Sequence, residues 1–307
     1  MSFFRRLGIL LFFSIAGNPL SLALLGMINH ITGCVKTVFL LYPASPRYTQ
    51  AYSFDWFARK IFFTPVLLGV FRQNGKIGLT FGISATERDF LNSNNNHGLR
   101  RIHNRMESLC QTIGAQQKTF AGILPGVFVS RGILPANPPE NRATVVAVLH
   151  ALDKLRITTG LDIATPLVVL GAFGFVGKEL LKVLEAEATA PVYPVDLHNR
   201  ESFAVMMEEL RGKPAIVLNL SKKGALRKYV RHLWSGVVVL NEVYPEPGKE
   251  ELRLMHETGV LCWHLVGIKG TAWPPFPGAY HGGIPCCASW LPGEGDGEYE
   301  VIIERKV

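Results

Sequence analysis

The run Pro166–Asp196, PLVVLGAFGFVGKELLKVLEAEATAPVYPVD, decides the fold of this chain. It starts as an apolar strand, Pro166 to Leu170, and turns on Gly171, Gly174 and Gly177. A helix follows, then a second strand that closes on Asp196. Each glycine sits where a side chain would obstruct. The first permits a tight turn, the second lets backbone approach a pyrophosphate, and the third lets the helix pack closely on the strand. The helix N-terminus then offers unpaired N–H groups and a positive dipole end to phosphates. The expected ligand is a nicotinamide dinucleotide, NAD or NADP, held by Gly171, Phe173, Gly174, Phe175, Val176 and Gly177. Asp196 stands where an acid accepts hydrogen bonds from an adenosine ribose and repels a 2′-phosphate, which favours NAD. His198 and Arg200 follow closely and would attract such a phosphate, so both cofactors stay open. The competing reading is a Rossmann-like domain that has kept the glycine turn and lost its ligand.

Strand and helix patterns alternate after residue 166, which implies a parallel sheet covered on both faces. Strands are expected at 166–171, 192–195, 215–220, 236–241 and 260–266. Ligands of such sheets lie outside the carboxyl ends of the strands. That rule singles out Asn219 and Ser221, then Asn241 to Tyr244, then Gly267, Lys269 and Gly270. Upstream, Val35 to Ala44 and Lys76 to Ala85 read as buried strands, and residues 46–62 as a helical stretch. Residues 92–98 read as a loop. Leu99 to Gly114 carries Ile102, Met106, Leu109 and Ile113 at helical spacing. Ala121 to Gly126 is a small-residue turn suited to lining a cleft. Residues 135–141 form a linker, and Ala143 to Leu155 a helix.

The chain has 307 residues, 48% hydrophobic and 18% charged, which suits two globular domains and argues against disorder. Its net charge of +8 is uneven. Residues 1–165 hold 17 Lys/Arg against 7 Asp/Glu, and residues 166–307 hold 15 against 17. A basic first half suits anionic lipid, an acidic carrier protein or phosphorylated ligands. No nucleic-acid motif accompanies it, so no nucleic-acid partner is expected. The odd count of five cysteines points to a reducing compartment.

Residues 7–28, LGILLFFSIAGNPLSLALLGMI, carry no charge and follow Arg5 and Arg6. Their length suffices to span a bilayer. A single span with its arginines inside would export the dinucleotide domain. A cleaved signal would need a shorter core, although Ile31 to Cys34 resembles a lipoprotein box. Gly17-Asn18-Pro19 breaks the run near its centre, which suits a membrane-dipping hairpin or an interfacial helix pair. Packing on the protein itself, or on a second subunit, is the alternative.

Near the C-terminus, residues 270–290 read GTAWPPFPGAYHGGIPCCASW. Cys286 is a candidate nucleophile, with His281 and Tyr280 as proton-transfer candidates beside it. Cys287 is the neighbouring alternative. The cysteines and His281 lack the spacing of a metal site, so no metal is expected. Ser289-Trp290-Leu291 runs straight into PGEGDGE, which leaves room for about one turn of helix, and a strand-like tail follows from Glu298 to Lys306.

Several of these segments, in this order, resemble the long-chain acyl-(acyl carrier protein) reductases of the cyanobacterial type. They are VFLLYPAS, helix 99–114 with Ala121 to Gly126, ENRATVVAV, GAFGFVG, VVVLNEVYPEP and the loop reaching IPCCAS. The likeness covers roughly residues 35–290. It implies that Cys286 is acylated by a fatty chain and that hydride from a nicotinamide releases an aldehyde. It also implies a fatty acyl thioester substrate and an acyl carrier protein partner. NEVYPEPGKEELRLMHETG is similar, more broadly, to shikimate-dehydrogenase-type domains.

The expected protein is α/β and two-domain, with a smaller N-terminal α/β domain and a doubly wound parallel-sheet NAD(P)-binding Rossmann domain. An apolar segment precedes them. The expected boundaries are 1–34 for the membrane-associated segment, 35–150 for the substrate domain, and 151–307 for the dinucleotide domain with its Cys loop. The expected activity is reduction of an activated acyl group to an aldehyde, in the cytoplasm and at a membrane, with oligomeric state left open. The alternatives are a shikimate-dehydrogenase-like reductase, for which Lys118 and Asp153 offer a Lys/Asp pair, and a non-catalytic nucleotide-binding protein.

Overall fold

The computed structural model describes residues 2–44, 46–135, 141–196, 203, 206, 208–276, 278, 280–293 and 297–307. The chain divides into two compact units. The first comprises Met1–Glu140, Lys269–Pro277 and Gly282–Tyr299, and the second Asn141–Ile268, Gly278–His281 and Glu300–Val307. The sequence-based boundary at 150 falls inside a helix that belongs wholly to the second unit. The apolar N-terminal segment and the Cys286 loop both belong to the first.

The first unit opens with helices α1 (Ser2–Ala16) and α2 (Pro19–Thr32), broken at the expected Gly17-Asn18-Pro19. Asn18 caps α2 by accepting a hydrogen bond from the Ser21 backbone N–H at 2.9 Å. Strand β1 (Val35–Leu41) follows, then short helices α3 (Pro46–Tyr52) and α4 (Asp55–Lys60), strands β2 (Val66–Gln73) and β3 (Lys76–Gly82), and helix α5 (Glu87–Leu91). Residues 46–62 are thus two short helices where one stretch was expected.

Asn74 and Gly75 both take positive φ and close the hairpin between β2 and β3. The segment expected as a loop at 92–98 instead forms a short 3₁₀ turn and the start of helix α6 (Asn96–Ile113). Strand β4 (Gln117–Phe120) and helix α7 (Leu124–Ser130) complete this stretch. The expected turn 121–126 therefore includes the start of α7, with Pro125 in its first turn, where a missing N–H costs nothing.

Strand β10 (Thr271–Trp273) later joins β2, giving the order β10-β2-β3-β1-β4. β1 is parallel to both β3 and β4. Leu99, Ile102, Met106, Leu109 and Ile113 of α6 bury one helical face in the core beside Val38, Leu40, Leu79 and Phe81.

The second unit starts with helix α8 (Arg142–Thr159), then β5 (Leu167–Leu170), α9 (Phe175–Glu187), β6 (Val192–Val195), β7 (Ala215–Asn219), β8 (Val237–Asn241) and β9 (Leu261–Lys269). β6, β5, β7, β8 and β9 run parallel in that order, and β11 (Val301–Arg305) closes antiparallel on β9. Side chains alternate across the sheet as a strand's period of two requires. Val168, Leu170, Val217 and Val239 share one core with Leu226, Val230 and Met255. Leu167, Val169, Ile216 and Leu218 alternate with them and are also buried, and α8 and α9 pack against β8 and β5. Helices on both faces and a reversal of strand order between β5 and β7 make this a doubly wound, Rossmann-like sheet. The α/β fold read from the sequence is the one observed.

Candidate functional site

In a sheet of this order the ligand crevice lies at the carboxyl ends of the two strands where the order reverses, here β5 and β7. The glycine loop occupies that place. Gly171 leaves β5 at φ 89°, a conformation that side-chain-bearing residues rarely adopt, and a Cβ there would lie 2.8 Å from backbone atoms of Leu220 and Ser221. Its N–H donates to Val195 O of β6 at 2.9 Å. Gly177 is buried in the first turn of α9, where a Cβ would stand 2.2 Å from Gly171 O and 2.8 Å from Ala172 O. It is the close-packing glycine.

Gly174 differs from both. It is the N-cap of α9 at φ −72° and ψ 178°, exposed, and a Cβ would meet only Gly171 O at 3.1 Å. Of the three glycines it is the one the fold crowds least, and its missing side chain leaves the first-turn N–H groups of α9 open to a phosphate. Those residues fit a dinucleotide pyrophosphate. Phe173 is exposed, and Phe175 and Val176 are half-buried. Asn141 Nδ2 donates to Phe175 O at 3.2 Å, tying the start of α8 to the glycine loop. Asp196 follows β6 directly and is half-buried, beside the strand that binds the loop. Arg200 and His198 lie outside the described residues.

The carboxyl ends of β7 and β8 carry a connected polar network. Asn219 Nδ2 donates to Asn241 Oδ1 at 2.6 Å, and Ser221 Oγ donates to Asn219 Oδ1 at 2.5 Å. Asn241 Nδ2 donates to Val243 O at 2.8 Å and lies 3.0 Å from His264 Nδ1. Asn219, Asn241 and His264 are all buried. His264 Nε2 has no hydrogen-bond partner among the described residues, and burial holds the imidazole below its ordinary range. A cleft of about 200 Å³ opens beside this network, lined by Asn219, Lys223, Asn241, Val243, Glu246 and Gly248.

Glu242, directly after β8, is half-buried. Its backbone N–H donates to Asn219 O at 3.1 Å, and burial pushes the carboxyl up to about 7. The strand-end rule found Asn219, Ser221 and Asn241. His264 escaped it because one polar residue in the apolar strand LCWHLVGIK leaves no periodic trace. Glu242 fell inside the singled-out span but was not separated from its neighbours.

Tyr280 stacks on Tyr244 within the second unit, with ring centroids 5.1 Å apart, and His281 is exposed. Cys286, in the first unit, is 7% exposed and opens a three-residue 3₁₀ turn, Cys286–Ala288. A turn that short supplies no helix dipole to a thiol. The turn is fixed from several sides. Ser289 Oγ donates to Cys286 O at 2.7 Å and lies 2.7 Å from the Tyr299 hydroxyl. Gln117 Nε2 donates to Ser289 O and Gln73 Nε2 to Trp290 O, each at 3.0 Å.

Cys287 is half-buried, and none of the five cysteines is in a disulfide. Burial, more than any neighbouring charge, raises the Tyr42 and Tyr299 phenols above their ordinary range. Lys118 and Asp153 each have another partner. Lys118 Nζ is 2.7 Å from Glu107, and Asp153 faces Arg156 at 3.9 Å. Among the described residues no group of three or more His, Cys, Asp or Glu is placed to hold a metal ion.

No protein-family model matches the sequence, and no curated protein matches it. Among solved structures, an L-tryptophan dehydrogenase from Nostoc punctiforme is similar over 75% of this chain and 69% of its own, at 14% identity and a TM-score of 0.32. At that score the likeness carries no argument. The class rests on the strand order and the glycine loop, which define a two-unit α/β protein with a Rossmann-like second unit.

Proposed function

We propose that the second unit binds NAD or NADP at the carboxyl ends of β5 and β7, and that the chain is a nicotinamide-dependent oxidoreductase. The observation that carries this reading is Gly174, an exposed helix cap that packing constrains far less than Gly171 or Gly177. Gly171, Gly174 and Gly177, with the first turn of α9, would hold the pyrophosphate, and Asp196 the adenosine ribose. The bound group supplies or accepts a hydride. Glu242 is the residue of this unit best suited to exchange a proton near neutrality, since a carboxyl titrating at about 7 is both a competent acid and a competent base.

The finer reading is reduction of a fatty acyl thioester, delivered by an acyl carrier protein or coenzyme A, to an aldehyde. The Cys286 thiolate would attack the thioester carbonyl, expelling the carrier thiol and leaving the acyl group on sulfur. Hydride addition to that carbonyl would then expel the Cys286 thiolate and release the aldehyde, with Tyr280 and His281 as proton-transfer candidates. What supports this reading is a cysteine held by a rigid turn between two glutamine-to-backbone clamps. Cys286 is nearly buried, and Cys287, the better exposed of the pair, is the alternative nucleophile.

Incubating the full chain with palmitoyl-coenzyme A, without nicotinamide, is expected to add one palmitoyl group to the intact mass. The adduct should vanish with NADH or NADPH and be absent from Cys286→Ala. An adduct confined to Cys287, or none across chain lengths, sinks the Cys286 step while leaving dinucleotide binding untouched.

A further inference from the structure

We propose that α1 and α2 form an in-plane anchor that seats the first unit on an anionic lipid leaflet without crossing it. No single helix of the described residues is long and apolar enough to cross a membrane. Phe3–Ala16 and Pro19–Thr32 are so only as a pair, and they are bent by 69°. Each helix has two apolar sides, and one is already in use. Ile9 and Leu22 are buried, and Gly26 backs so closely onto α6 that a Cβ would lie 2.0 Å from Thr112 O.

Asn29, buried between α2 and the rest of the unit, acts as a pin. Its Oδ1 accepts from the Val35 N–H at 2.7 Å, and its Nδ2 donates to Ile113 O and Gly114 O at 3.1 and 2.9 Å. Straightening the pair into a span would strand those buried polar groups in hydrocarbon, where each costs several kcal/mol.

The other side of the pair faces outward. Phe4, Leu11 and Ile15 on α1 recur at helical spacing, as do Leu20, Leu24, Met27, Ile28 and Ile31 on α2, with Leu20 84% and Ile31 85% exposed. Solvated apolar stripes of this kind on two joined helices mark a surface that is covered in use. Charge selects the cover. Residues 1–34 contain no acid, and residues 1–60 hold six Lys/Arg against the single acid Asp55. At the N-terminal end of α1, Phe3 meets Phe54, and Phe54 stacks with the exposed Trp56 of α4. Lys60 Nζ lies 5.4 Å from the centre of the Trp56 ring, and Arg59 is exposed alongside. An indole next to exposed lysine and arginine, at the rim of an apolar face, is the composition of a headgroup-level belt.

The test uses the full chain and preformed vesicles of phosphatidylcholine alone or mixed with phosphatidylserine, read by co-sedimentation. Binding is expected to the mixed vesicles and to weaken with added salt. Arg59→Glu with Lys60→Glu should lower the partition coefficient on mixed vesicles by about tenfold or more and change it little on neutral ones. Leu24→Glu with Met27→Glu, both at exposed positions, should abolish binding to both while leaving the melting temperature unchanged. Light scattering on the same samples decides the competing occupant. A dimer that Leu24→Glu with Met27→Glu converts to monomer, with no vesicle binding by the unsubstituted chain, would overturn the anchor in favour of a second copy.

Discussion

Gly174→Val should leave the second unit folded and weaken dinucleotide binding about a hundredfold. Gly174 has a backbone conformation open to any residue, and an added Cβ touches one carbonyl oxygen at 3.1 Å. The cost to the fold is that of a poor N-cap, roughly 1 kcal/mol. The cost to the ligand is larger, because the new side chain stands where phosphate oxygens meet the first-turn N–H groups. Losing charge-assisted hydrogen bonds there costs roughly 2–3 kcal/mol, or about a hundredfold in Kd.

Gly177→Ala gives the control of opposite sense. Its Cβ would press to 2.2 Å from a backbone oxygen that cannot rotate away. It should destabilise the unit by roughly 3 kcal/mol, at the upper end of overpacking penalties. Urea unfolding and cofactor titration on both variants separate the two effects. If Gly174→Val binds as tightly as the unsubstituted chain, the loop is a structural turn and the site lies elsewhere.

Glu242→Gln should stabilise the protein above neutral pH, contrary to the usual result of replacing a charged residue. The carboxyl titrates at about 7 in the fold against an ordinary value of 4.5, because burial disfavours its charged form. The folded state therefore holds its proton more tightly than the unfolded chain. Stability falls as pH rises from about 4.5 to about 7, and the full penalty, roughly 3 kcal/mol, persists above that. Glutamine carries no such penalty, so the two proteins should converge below pH 4.5 and diverge by that amount at pH 8. Denaturant midpoints across pH measure this directly. A variant less stable than the parent at pH 8, or offset equally at every pH, would show that Glu242 is solvated. If Glu242 also exchanges the proton of the reaction, the same substitution lowers turnover without weakening cofactor binding.

The parts of the fold legible in the sequence are those fixed by short-range chemistry. The glycine loop, the strands around it and the apolar stripe Ile102, Met106, Leu109 and Ile113 each declare themselves within about a turn or two of chain. Asn74-Gly75 carries a hairpin signal too, but the sequence reading passes over it and leaves β2 unassigned. The pairing of β10 with β2 joins Thr271 to Arg72, a partnership set by tertiary packing that neither segment announces alone.

The same reason explains the Cys286 loop. It follows the last parallel strand in sequence, a position that groups it with the dinucleotide domain, yet its turn is held by Gln73 and Gln117 of the first unit. Of the candidate site, the glycines and strand-end polar residues were readable from position. His264 and the protonation state of Glu242 depend on burial, which a single sequence does not display.

The measurement that bears most directly on the central claim is equilibrium titration of the purified full chain with NADH and NADPH, following nucleotide fluorescence or heat. The structure predicts saturable binding of one nucleotide per chain for at least one of the two, weakened about a hundredfold by Gly174→Val. Failure of the unsubstituted, folded chain to bind either nucleotide at millimolar concentration would contradict it.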